Sequence, residues 1–182
     1  MYADHTLTPK EAIRLCALGT LALAPTTYGG LAVAIRHFVS RVIGPTPEIM
    51  GHSIELLRYE ELIETVAGEG DQAVLALTAA GRDELTSLLT ASLRPSNTEL
   101  NHLIVALKFR FLHLLDAGDR LLQSELLIDA CEDEIARLAD LRRHHAADAG
   151  FLTRWLDHDL QELEERRAWL VQFRDELAQA AA

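Results

Sequence analysis

The side chains best suited to chemistry gather late in the chain. His144, His145, Asp148, Asp157 and His158 fall close together, and imidazoles with carboxylates can ligate zinc or a related metal. Their spacing fits no metal motif, and His144 and His145, being adjacent, point to different sides of a helix. A solvated turn is expected there, with no metal and no cofactor. Cys16 and Cys131 lie far apart, each inside an apolar helical pattern. They read as buried thiols of a reducing compartment rather than as a disulfide. The chain has no nucleophile elbow, no phosphate-cradling glycine loop, no Cys-x-x-Cys and no His-Glu-x-x-His, so covalent catalysis is not expected. Trp155 and Trp169 offer faces that suit a flat ligand, but packing between two subunits accounts for them more simply.

Composition narrows the class further. Over 182 residues the chain is 49% apolar, 5% aromatic and 25% charged, the profile of a helix-rich protein with one or two small cores. The run from Leu15 to Ala24 is too short to span a bilayer. Met1 to Lys10 lacks the basic region and apolar stretch of a secretory signal, so a cytoplasmic protein without a membrane span is expected. Net charge is −11, divided as −5 before residue 91 and −6 after it. Neither half is a basic module, and sequence-independent affinity for phosphate should be weak.

Positioning falls to helices. Thr8, Pro9, Lys10 and Glu11 form a helix start. The helix should run to about Ala24, with Ile13, Cys16, Ala17, Leu21 and Leu23 covering most of its circumference, which predicts a central, buried element. Leu31, Ala34, Ile35, Phe38 and Val39 recur at helical spacing in a second helix that stops before Gly44 and Pro45. Thr46, Pro47 and Glu48 open a third, with Ile49, Ile54, Leu57 and Leu62 inward and its end expected near Thr65 or Val66. The Gly68-Glu69-Gly70-Asp71 turn, between Val66 and the run Ala73 to Leu77, predicts a two-stranded hairpin. A fourth helix follows Thr78, with Leu85, Leu88 and Leu89 inside. Helix, helix, helix, hairpin, helix is the winged-helix plan.

Arg94, Pro95, Ser96 and Asn97 read as a linker. Beyond them Leu100, Leu103, Ile104, Leu107, Phe111 and Leu114, then Ile128, Cys131, Ile135 and Leu138, then Leu156, Leu160, Leu163, Leu170, Phe173 and Leu177 trace three amphipathic helices. One protomer cannot easily hide all three apolar faces, so a second copy should complete the core. The expected fold is mainly α: an N-terminal winged helix-turn-helix domain with a small β-hairpin wing over residues 1–93, then an all-α C-terminal dimerisation domain over 94–182. Leu103, Leu107, Phe111, Leu156, Leu160, Leu163, Trp169, Leu170 and Phe173 are the expected dimer contacts.

Four segments carry a resemblance that covers most of the chain. Leu18-Gly19-Thr20-Leu21-Ala22-Leu23 is followed by Thr27-Tyr28-Gly29-Gly30. Thr46-Pro47 leads through Leu57 to Glu60-Glu61-Leu62-Ile63-Glu64. Leu77-Thr78-Ala79-Ala80-Gly81-Arg82 follows the hairpin and is the most specific of the four, and a helical tail runs from about Glu99 to Glu176 with Trp169-Leu170 inside it. In this order they resemble the PadR family of bacterial transcription regulators.

That resemblance implies a regulator, most often a repressor, that binds double-stranded DNA as a homodimer. Its recognition helices would enter successive major grooves of a palindromic operator, and some family members release DNA on binding a small aromatic or hydrophobic effector. Here Arg36, Arg41, Thr46, Glu48, His52, Ser53 and Arg58 are the expected DNA-binding residues. The chain departs from the family pattern at Gly51, where a tyrosine is usual, and at Glu55 and Leu56, where a basic pair is usual. Its wing reads Glu69-Gly70-Asp71-Gln72-Ala73 instead of being rich in arginine and lysine. An acidic, protein-binding adaptor that has lost DNA contact is the rival expectation.

Overall fold

The computed structural model describes residues 6–44, 51–93 and 99–181. Helix α1 (Pro9–Leu23) begins with a reciprocal cap: the Glu11 amide donates to Thr8 Oγ1, and the Thr8 amide donates to Glu11 Oε2. Two orphan donors of the first turn are thereby satisfied. Leu15, Cys16, Ala17 and Leu18 are fully buried, as a central apolar helix requires, whereas Leu23 at the end of the helix is exposed.

Strand β1 (Thr26–Thr27) leads directly into α2 (Tyr28–Val42), whose N-cap is Thr27. Helix α3 (Gly51–Tyr59) is followed by β2 (Ile63–Ala67), a short 3-10 turn over Gly70–Gln72, β3 (Val74–Leu77) and α4 (Ala79–Thr90). The sheet is antiparallel, in the order β1-β3-β2, and β2 carries a register shift between Thr65 and Ala67. Two sequence expectations are corrected here. The third helix stops at Tyr59 rather than near Thr65, because Glu61 turns the chain with a positive φ of 57° and Ile63 starts a strand. The hairpin is also joined by a third strand, β1, at two residues too short to leave a periodic trace.

Helix α5 (Glu99–Phe111) continues into a 3-10 turn over Leu112–Leu114. Leu103, Ile104, Leu107 and Phe111 are buried, and Phe111 lies so close to α1 that a Cβ on Gly19 would stand 2.5 Å from its ring. The described residues up to Leu115 therefore form one compact unit and those from Asp116 onward another. This differs from a boundary at 93/94, since α5 packs with the first unit. The Arg110 guanidinium sits 4.7 Å above the Phe38 ring of α2 and 4.8 Å from that of Phe111, adding cation–π attraction to that packing.

The second unit is a hairpin of two long helices, α6 (Ala117–His144) and α7 (Leu152–Ala181). Asp116 caps α6 by accepting from the Asp119 amide at 2.8 Å. Arg142 pairs with Asp157 near the turn, and Arg167 pairs with Glu132 at 2.6 Å further along, a register that only antiparallel helices allow. Leu138, Leu156, Leu163 and Leu170 are buried. No helix among the described residues is long and apolar enough to cross a membrane.

Candidate nucleic-acid interface

Ile54 and Leu57 are buried and hold α3 against the first unit, leaving Glu55, Leu56, Arg58 and Tyr59 exposed. Arg58 lies 3.7 Å from Glu55, one helical turn back, and the two line a surface cleft with Tyr28 and Gly70. The exposed side of α3 thus faces the same cleft as the turn of the hairpin. Arg36 and Arg41 are exposed on α2. Between Glu11 and Glu48 the chain carries no carboxylate at all, while Arg14, Arg36 and Arg41 lie in that stretch.

Arg14 is committed elsewhere. Its guanidinium donates to Glu84 at 2.9 Å and pairs with Glu60 at 2.7 Å, tying the end of α3 and α4 to α1. Partial burial would lower its pKa, but these two carboxylates raise it. The exit from α3 is clamped a second time. Thr78 Oγ1 donates to the Glu61 carbonyl at 2.8 Å, the Thr78 amide donates to the Leu62 carbonyl at 3.2 Å, and Thr78 Oγ1 accepts from the Gly81 amide at 3.0 Å. Gly81 leaves room for that carbonyl, because a Cβ there would stand 2.0 Å from Leu62 O. The Leu-Thr-x-x-Gly-Arg segment therefore locks the orientation of α3 relative to the sheet.

Thr46 and Glu48 lie outside the described residues, and the side chains of His52 and Ser53 do so as well. Glu55 and Tyr28 share the cleft with Arg58 without being among the expected DNA-binding residues, although the three-residue step from Glu55 to Arg58 is visible in the sequence. The remaining surface here is acidic, with Glu60, Glu61, Glu64 and Glu69 all exposed.

Of the expected dimer contacts, Leu103, Leu107 and Phe111 are in the protomer's own interior. Leu156, Leu163 and Leu170 are buried, and Leu160 is half-buried. Trp169 is exposed and stacks on Phe173, with ring centroids 5.7 Å apart and planes 9° from parallel. The late histidines are taken up locally. His145 Nδ1 meets Asp148 Oδ2 at 2.6 Å, His144 Nδ1 meets the Asp140 carbonyl at 3.0 Å, and His158 lies 3.7 Å from Glu162. Among the described residues no three metal-ligating side chains converge. Both cysteines are free and buried, and burial pushes the Cys16 thiol up to about 11.

Residues 2–174 match the family described as "Putative AphA-like transcriptional regulator". The chain belongs to this family. An AphA-like regulator has a regulatory role and not a catalytic one, in line with the resemblance read from the sequence. A search of curated proteins finds no match. Among solved structures it is similar to Bacillus subtilis PadR in complex with operator DNA, at 16% identity and a TM-score of 0.39 over 90% of this chain and 98% of that one. It is also similar to smu.1604c from Streptococcus mutans UA159, at 18% identity and a TM-score of 0.39 over 94% of this chain and 99% of that one.

Proposed function

We propose that this AphA-like regulator is a DNA-binding repressor that acts in the cytoplasm as a homodimer on a palindromic operator. The first unit, with α5 in its core, would supply the DNA-binding domain and the helices α6 and α7 the dimer contact. The observation that carries the reading is the presentation of α3. Ile54, Leu57, Arg14 and Thr78 fix it from behind, and its outer face stands beside the hairpin turn. A rod held out in this way suits a major groove. Arg36 and Arg41 then supply phosphate contacts from a segment without carboxylates, as the first helix of a helix-turn-helix does when it crosses the backbone. A small aromatic or hydrophobic effector would weaken DNA binding, as the resemblance implies.

A mobility-shift titration on the DNA upstream of the protein's own gene tests this. The wild type is expected to retard that fragment. A variant carrying Arg36→Ala and Arg41→Ala should bind all sequences more weakly and lose about two units of salt slope per protomer. Absence of retardation at low ionic strength would sink the reading.

The exposed carboxylates Glu55, Glu60, Glu61, Glu64 and Glu69 around the end of α3 and the wing favour a second one. There the acidic surface meets a basic protein. Capture of one basic partner that survives nuclease treatment, from a protein that retards no DNA, would decide for it.

A further inference from the structure

An exposed carboxylate on a groove-facing helix needs a physical reason, since each phosphate it approaches repels it. On α3 that residue is Glu55, and it lies beside Arg58, the only Lys or Arg among residues 51–59. Both are accessible, with side chains 59% and 45% exposed. We propose that Glu55 is a specificity-determining residue that accepts a hydrogen bond from the exocyclic amino group of cytosine, while Arg58 donates to the guanine paired with it. This rests on the DNA-binding reading above and adds the base pair that α3 reads.

The chemistry singles out that pair. An ionised carboxylate is acceptor-only, so in the major groove it needs a donor, and only cytosine N4 and adenine N6 supply one. At adenine the N7 acceptor sits beside the amino group and faces the second carboxylate oxygen, which is repulsive. At cytosine no second acceptor lies on the same base edge, and the nearest acceptors, guanine O6 and N7, are what an arginine fork binds best. A carboxylate and a guanidinium 3.7 Å apart therefore present acceptor and donors in the order that one C·G pair requires. Their mutual neutralisation also explains how α3 can approach DNA without a basic pair. The positions of Tyr28 and Gly70 on the same cleft place this pair next to the wing.

The test is selection from a randomised pool of double-stranded DNA by the full-length wild type, Glu55→Gln and Glu55→Ala. All three should keep the same fold by circular dichroism, because only an exposed i,i+3 contact is lost. The wild type should enrich a two-fold symmetric sequence with one invariant C·G pair in each half. Glu55→Gln should move the cytosine position toward adenine, since an amide offers the donor and acceptor that adenine takes in the major groove. Glu55→Ala should lower discrimination there by about tenfold or more. If Glu55→Ala keeps the wild-type sequence and merely binds every duplex more tightly, Glu55 only repels phosphate and the assignment is overturned alone. If the wild type enriches nothing, the DNA-binding reading falls and takes this one with it.

Discussion

Lys108 is the described residue in which charge and burial conflict most. It is fully buried on α5, and its Nζ donates to the carbonyls of Leu89 at 2.5 Å and Ala91 at 2.8 Å, closing the C-terminal end of α4. Those carbonyls have no partner further along their own helix, so the lysine supplies one. Burial lowers its pKa from 10.5 to about 7, and a neutral amine still has the hydrogens for both bonds. The unfolded chain therefore binds more protons than the folded one between about pH 7 and pH 10.5, and stability from this group rises with pH across that window. Lys108→Met should be less stable near pH 10, where the wild-type amine is neutral and its loss leaves two buried carbonyls without a donor. Its deficit in melting temperature should grow from pH 7 to pH 10, and a constant deficit would show that Lys108 stays charged inside. The position was half legible. Four residues after Ile104 and three before Phe111, it falls on the inward face by period, while lysine as a type belongs outside.

Elements lock one another at the junction of α3, the sheet and α4. The Leu77-Thr78-x-x-Gly81 segment was recognisable as a motif, but its reason is tertiary: Gly81 faces the Leu62 carbonyl, which a Cβ would approach to 2.0 Å. Gly81→Ala should therefore cost about 1–3 kcal/mol through backbone displacement, despite the helix propensity gained. Gly118→Ala makes a fair comparison. Its added Cβ meets only the Asp116 carboxylate at 3.4 Å, so propensity should dominate and leave the protein unchanged or stabilised by up to about 1 kcal/mol. Denaturant unfolding of both variants checks the opposite signs, and equal effects would mean that the Leu62 contact is soft. The same junction is where the sequence misled. Leu62 and Ile63 suit the inner face of a helix as well as a strand, and nothing in the type of Glu61 announces its left-handed backbone.

At the scale of the whole molecule the question is what covers α7. Trp155 is 54% and Trp169 52% exposed, and Phe173 stacks on Trp169. Trp155 and Phe173 are separated by about five helical turns, so all three rings share one stripe, about a quarter turn from the buried Leu156, Leu163 and Leu170. The heptad-like spacing made both sets visible in the sequence. It could not divide them, because periodicity says that a face is apolar and not which neighbour covers it. With the leucines buried, the aromatic stripe is the face that the proposed second copy would cover in a two-fold helical contact. Replacing Trp155 and Trp169 together by alanine should weaken dimerisation by about thirtyfold or more, the scale of one buried aromatic anchor. Helix content should not change. Sedimentation should then show a monomer under conditions where the wild type is expected to sediment as a dimer, and DNA binding should fall for a full palindrome far more than for a single half-site. A variant that still sediments as a dimer would move the subunit contact off this stripe, and a wild type that is monomeric at every concentration would remove the two-fold reading itself.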